Sequence, residues 1–369
     1  MKRQWLFSAL LLLTVSAQAQ RVDLDKFSFT VAYRNLPRVP IDTSYHTFNF
    51  QLETGPLMKL GVNNERPEES MEIDGWKRVQ VKGHITVDLK MEDIMIVGAN
   101  VEERVEEIKD KTGKVTGKRT WFRPVFTYTY AGRVLITDYK GNQLQQYQLA
   151  TRNQQQQHRG TEYSSKLEAI GLTLNMITIG TQLSKDLLYR TINNLSNNLS
   201  NMYGYSEMRV NDFVWILDSR KHAEYDKFRR NFAMVKDAFF RITPHEPVTA
   251  IREELKPAID YFTKLPKYYS GSGKSDRKIR YAAHFLLAKL YYYLDDPDNA
   301  AREATNLVLN DYDARDGRYL ESVAIGLKEQ FTLTKRTTRH FPWDVNSFEP
   351  PNLAKSTAQT NSTSKQGKE

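Results

Sequence analysis

The sequence predicts an α+β protein: an N-terminal, antiparallel, strand-rich domain of sandwich type, followed by an all-helical domain. Segments between Phe27 and Ala150 alternate apolar and polar residues with period two. The polar, low-complexity stretch TRNQQQQHRG, residues 151–160, then interrupts every pattern. From Tyr163 onward the apolar spacing changes to threes and fours.

The chain begins with Lys2 and Arg3, an apolar run from Trp5 to Val15, and Ala17-Gln18-Ala19. A positive start, a short apolar core and a small-x-small end are the three parts of a secretory leader, so residues 1–19 are expected to be removed on export. The run is shorter than the roughly 20 residues of a membrane span. The Ala-Gln-Ala-Gln ending resembles leaders of exported Bacteroidota proteins, which implies a periplasmic or outer-membrane-associated location. The chain has no cysteine. That excludes disulfides, thiolate metal sites, a cysteine nucleophile and the lipidated cysteine of a bacterial lipoprotein. Loss of Lys2 and Arg3 reduces 53 basic residues to 51 against 44 acidic, a net charge of +7. These charges are spread along the chain, not gathered in one block, so nothing singles out a nucleic-acid partner.

The strand-rich domain is expected over 20–150. FSFTVAY (27–33), HTFNFQLE (46–53), VQVKGHITVDLKM (79–91), VFTYTYAGRVLITDY (125–139) and QLQQYQLA (143–150) are rich in Val, Thr, Phe and Tyr. The charged run EERVEEIKDK (102–111) reads as a solvated strand and hairpin tip ending at DKTGKVTGK (110–118). Residues 151–162 read as a linker, 163–345 as the helical domain, and 346–369 as a disordered tail rich in Pro, Ser, Thr, Gln and Lys.

Within the helical domain, Leu188, Ile192, Leu195, Leu199 and Met202 are spaced 4, 3, 4 and 3, a seam that requires a partner helix. The uncharged stretch 169–183 is read as a buried helix, since it is too short to span a bilayer. AEYDKFRRNFAMVKDAFFRI (223–242) and VTAIREELKPAIDYFTKL (248–265) are amphipathic helices. Between the second of these and the next helix lies Gly-Ser-Gly-Lys-Ser, residues 271–275, the kind of ending that closes a phosphate loop. The full pattern requires a glycine at 268, where Tyr268 stands, and a preceding strand, where a helix is expected. The stretch is therefore an inter-helix loop, and no nucleotide is implied.

YAAHFLLAKLYYYLDDPDNAAREATNLVLNDYD, residues 281–313, reads as helix, turn, helix. Leu287, Ala288 and Tyr291 in its first helix, and Ala300, Ala304 and Leu307 in its second, stand at the spacings of a tetratricopeptide repeat, and the segment resembles one. It departs from the family at Ala304, where a large aromatic is usual, and at Tyr312, where proline is usual. About three units make a stable array, so 248–265 and LESVAIGLKEQF (320–331) are expected as flanking half-repeats. The resemblance implies a partner-binding groove lined by the first helix, which places Lys289, Tyr292 and Tyr293 in it. Phe341, Trp343 and Phe348 are expected to clip back onto the helices.

No catalytic motif accompanies this architecture. The seven histidines lack metal-ligand spacing, and neither His-Glu-x-x-His nor Gly-x-Ser-x-Gly occurs. Asp88, Glu92 and Asp93 read as ordinary surface acids. Trp121 and Phe122 in GKRTWFRP could bind a glycan, although a core-facing strand accounts for them more simply. The expectation is a non-enzymatic adaptor, without cofactor or metal, that holds other cell-envelope proteins through its groove. The alternative is a cell-surface glycan-binding protein or glycan-processing enzyme with Trp121 and Phe122 at its site. Similar helical repeats occur in SusD-like starch-binding proteins, which carry the lipidated cysteine that is missing here.

Overall fold

The computed structural model describes residues 22–352. The leader read at 1–19 and the tail from residue 353 lie outside the described residues. The fold is α+β, with mostly antiparallel strands in the N-terminal half and helices in the C-terminal half. The described residues form two compact units, each discontinuous: 22–40 with 205–343, and 41–204 with 344–352. This division differs from the expected one at 150/163.

In the first unit, β1 (Leu24–Arg34) pairs antiparallel with β10 (Glu207–Leu217), Phe29 opposite Asp212. Residues 210–219, read as part of a helical region, are thus mostly strand, and their alternating Val214 and Ile216 are buried. Five long helices follow or cover this pair: α4 (Tyr225–Arg241), α6 (Lys256–Tyr268), α7 (Lys274–Tyr293), α8 (Pro297–Asn310) and α9 (Ala314–Thr334). The short α5 (Thr249–Glu254) is separated from α6 by Leu255, so the helix expected at 248–265 is broken just before Pro257. One apolar core runs through the unit, with Phe29 stacked on Phe239 at 4.0 Å and Phe228 edge-on to Phe262. Asp296 caps α8 by accepting from the Asn299 N–H. Gly317 is where α9 approaches α8 closely: a Cβ there would lie 2.8 Å from the Val308 nitrogen.

Of the Gly-Ser-Gly-Lys-Ser stretch, residues 271–273 lie in the loop between α6 and α7, and Lys274 and Ser275 begin α7. The Arg280 guanidinium donates to the carbonyls of Tyr269 (2.5 Å) and Gly271 (2.7 Å), and the Gly271 N–H donates to Asp276. Side chains of α7 thus bind the loop's backbone polar groups.

The second unit holds a five-stranded sheet of order β3-β2-β4-β7-β8, formed by β2 (Thr47–Thr54), β3 (Lys77–Arg78), β4 (Ile85–Met91), β7 (Gly132–Asp138) and β8 (Gln143–Ala150). The sheet is mixed, against the expected antiparallel arrangement: β2 runs parallel to β3 and β4. Parallel strands need a long crossover, supplied here by α1 (Pro56–Val62) and a 3-10 turn at Pro67–Ser70. Helix α3 (Met176–Tyr203) buries the predicted seam Leu188, Ile192, Leu195 and Leu199. Its Ser196 and Ser200 hydroxyls accept from the Glu72 and Asp74 N–H groups, and the Trp76 indole donates to the Tyr203 carbonyl at 2.8 Å.

A second sheet joins β5 (Met95–Lys109), β6 (Val115–Thr129) and β9 (Gln156–Arg159). The expected linker 151–162 therefore contributes a strand, pairing with Val125–Tyr128 of β6. Beyond that pairing, β5 and β6 continue as a two-stranded ribbon, with most residues from 102 to 120 exposed. Its glutamates face cations across the strands, Glu106 opposite Arg119 and Glu107 opposite Lys118.

The stretch 169–183 is not a buried helix. It is divided at Asn175 between α2 (Lys166–Leu174) and the start of α3, and within it only Ala169 and Leu183 are buried. No described helix is long and apolar enough to cross a membrane. The first residues of the expected tail are packed: the Lys77 ammonium donates to the Asn346 and Phe348 carbonyls at 2.8 Å, and the Phe348 ring lies 4.6 Å from His46.

Candidate functional site: an aromatic pocket on the helical unit

The three groove residues read from the sequence meet in one place. Lys289, Tyr292 and Tyr293 lie in the last turns of α7 and line a cavity of about 210 Å³ with Tyr33 of β1, Asp212 of β10 and Tyr319 of α9. Two of the three are not groove-exposed as expected, because Lys289 and Tyr293 are buried.

Asp212 explains their burial. Strand alternation puts it on the same face as the buried Val214 and Ile216, so its carboxylate enters the unit's interior and must be paired there. The Lys289 ammonium donates to both of its oxygens, at 2.8 and 2.6 Å, and the Tyr293 hydroxyl donates to Oδ2 at 2.5 Å. Burial, followed by the Asp212 charge, raises the Tyr293 pKa strongly. The phenol therefore stays protonated and committed as a donor. With the ammonium doubly bound and the carboxylate neutralised, this triad fixes the pocket's floor and offers no unoccupied base.

Behind the pocket, the Arg339 guanidinium lies between two rings, 4.2 Å from the centre of Tyr33 and 4.5 Å from that of Tyr292. Its Nε donates to Asp295 Oδ1 at 2.7 Å, its backbone N–H to Oδ2 at 2.5 Å, and its Nη2 to the Tyr292 carbonyl at 2.6 Å. Burial and the neighbouring Tyr292 push the Tyr33 hydroxyl up to about 12. Asp295 adopts φ +58°, a left-handed conformation that turns the chain from α7 into α8. His340 sits beside this pair, its ring nitrogens 2.7 Å from the Thr243 carbonyl and 3.2 Å from that of Tyr293. Farther along, the Arg336 guanidinium lies 4.1 Å above Phe341, and Trp343 packs on Tyr205.

The chain matches no family model, and no curated protein matches it. Its chemistry is therefore read from the pocket itself. Tyr319, 64% exposed, lines the pocket with the half-buried Tyr33 and Tyr292 and the buried Tyr293. A pocket with an aromatic wall, a charge-paired floor and an exposed tyrosine at its rim suits an apolar or aromatic side chain.

Sequence reasoning found the α7 residues and missed Asp212 and the Asp295–Arg339 pair. The signal for Asp212 was present in VNDFVWIL, where it falls in phase with two core positions. Arg339 carried no local signal, because its partners Asp295 and Tyr33 are distant in sequence.

Trp121 and Phe122 lie on β6, and neither faces a core, against the simpler expectation. Trp121 donates to Glu106 at 2.6 Å, and the Arg119 guanidinium covers its ring at 4.2 Å. Phe122 exchanges two backbone bonds of 2.8 Å with Tyr163. Of the acids near strand ends, Asp93 receives the Met58 N–H, Glu92 pairs with Arg152, and burial raises the Asp88 pKa. No group of three or more His, Asp or Glu among the described residues is arranged to hold a metal.

Proposed function

We propose that the protein is an exported, non-enzymatic adaptor of the bacterial cell envelope, and that its tetratricopeptide-like hairpins hold another envelope protein at the aromatic pocket. Lys289, Tyr292 and Tyr293 stand at the repeat positions that the resemblance assigns to the groove, and the observation that carries the reading is that they line one cavity with Tyr33 and Tyr319. The partner's anchor is an aromatic or branched aliphatic side chain, seated between Tyr292 and Tyr319. Lys289 and Tyr293 hold the floor in shape through Asp212, while Tyr319 makes the contact.

The test is co-purification of the tagged, processed protein from its native envelope after mild crosslinking. Tyr319→Ala removes an exposed ring and leaves the core intact, so its effect reports binding. Loss of a defined partner in this variant, with retention in Tyr319→Phe, supports the adaptor. Recovery of the same proteins with Tyr319→Ala, or of none with either chain, contradicts it.

A further inference from the structure

Strand β10 has one paired edge and one open edge, since β1 is its only sheet neighbour among the described residues. Which groups face the open edge follows from the ladder. The Asp218 N–H donates to the Asp23 carbonyl and the Asn35 N–H to that of Ser206, so the even-numbered residues of β10 are the ones that bond to β1. The odd-numbered residues, from Glu207 to Leu217, therefore turn their backbone N–H and C=O groups outward. Part of this edge is closed by side chains: the Leu217 carbonyl accepts from Arg229 at 2.9 Å, and the Phe213 N–H donates to Asp212 Oδ1 at 2.8 Å. Arg209 and Asn211 are exposed, and their outward groups have no backbone partner among the described residues.

The aromatic pocket opens on this stretch. Its lining includes Val210, Asn211 and Asp212, three consecutive residues whose side chains alternate between faces, so the strand's own edge forms one wall. An open edge takes an extended chain, because only that conformation returns N–H and C=O groups at the spacing the edge presents. In such a chain the residue opposite Val210 points its side chain to the Val210 face, into the pocket. Its two neighbours lie opposite Arg209 and Asn211, on the other face. There Arg209 has no ion-pair partner among the described residues, whereas Glu207 is paired with Arg34 at 3.4 Å. The free cation favours an acidic residue beside the anchor. A second copy paired over the same five residues, 207–211, would instead set Arg209 against itself.

We infer that the open edge of β10 receives an extended segment of the partner protein as a third strand, with an apolar anchor in the pocket and an acidic residue next to it. This rests on the adaptor reading of the pocket and adds the form of what enters it.

The probe is a capped, fluorescein-labelled heptapeptide, Ser-Thr-Glu-Phe-Glu-Thr-Ser, which places an acid beside the anchor whichever way the strand runs. Its binding to the full processed chain is read by fluorescence anisotropy up to about 1 mM, a weak limit suited to one short strand. Binding is expected, and Arg209→Glu should weaken it by about threefold or more. Two N-methylated peptides isolate the backbone, one methylated on both glutamate amides, the other on the amides of the phenylalanine and the threonine that follows the second glutamate. Antiparallel and parallel addition turn opposite sets of amides toward β10. In either case one form should lose binding by about tenfold or more while the other stays within about threefold. No binding by the parent peptide, or equal effects of the two methylated forms, overturns the inference. Co-purification separates this failure from that of the adaptor reading: a native partner lost with Tyr319→Ala but fully retained with Arg209→Glu keeps the adaptor and overturns the added strand.

Discussion

Asp295 meets several structural demands at once. It accepts from Arg339, whose side chain is buried with it, and from the Thr338 hydroxyl, and its backbone is left-handed. Asparagine tolerates that backbone and keeps the shape, so Asp295→Asn isolates the charge. Leaving Arg339 buried without its counter-ion should cost about 3–5 kcal/mol, read as a lowered urea midpoint; a change within about 0.5 kcal/mol, the usual size for surface substitutions, would refute the pairing. His340 next to it gives a pH dependence. Burial holds its pKa below the ordinary value, against the raising influence of Asp295. An unfolded histidine takes up its proton near pH 6.5, so acid favours the unfolded chain. The contribution of His340 is complete above that pH and is lost as pH falls below it. His84, His158 and His222 are lowered in the same direction, so the test is a comparison of His340→Gln with the parent chain. The variant's stability should fall less between about pH 7.5 and 5.5; parallel curves would exclude the residue. At this scale, helical spacing made Lys289, Tyr292 and Tyr293 legible. Their roles were not, because Asp212 reaches them from 77 residues away.

Among the elements, the α8–α9 packing depends on a missing side chain. At Gly317 a methyl group would lie 2.7 Å from Val308 Cγ2 and 2.9 Å from the Ala304 carbonyl. Gly317→Ala should therefore destabilise by about 1–3 kcal/mol despite alanine's better helix propensity, and an increased melting temperature would mean the helices can separate freely. The alternation of β1, β4 and β7 and the charged ribbon were readable locally, since period and turn residues specify them. Pairing was not: β1 finds β10 some 180 residues on, and β2 lies parallel to β4 because of a crossover whose short helix carries little periodic signal. The apolar stretch 169–183 was misassigned to the interior because hydrophobicity alone does not distinguish a face covered by its own unit from one left open.

At the scale of the whole molecule, the local patterns indicated the α+β class, while the division of the chain followed long-range contacts. A protein ending at Ala150 keeps the sequence's apparent β-domain but loses β10 from β1, β9 from β6 and the α3 seam from its core. Residues 20–150 should therefore show no cooperative unfolding transition, and a sharp one would refute the discontinuous units. The measurement that bears most directly on the adaptor reading is site-specific photo-crosslinking in the native envelope. A photoreactive phenylalanine analogue would replace Tyr319 at the pocket rim and, in a separate chain, Leu309, exposed on α8 away from the pocket lining. The account predicts a discrete adduct with one envelope protein from position 319 and none from 309. No adduct at 319, or the same adducts from both positions, would contradict it.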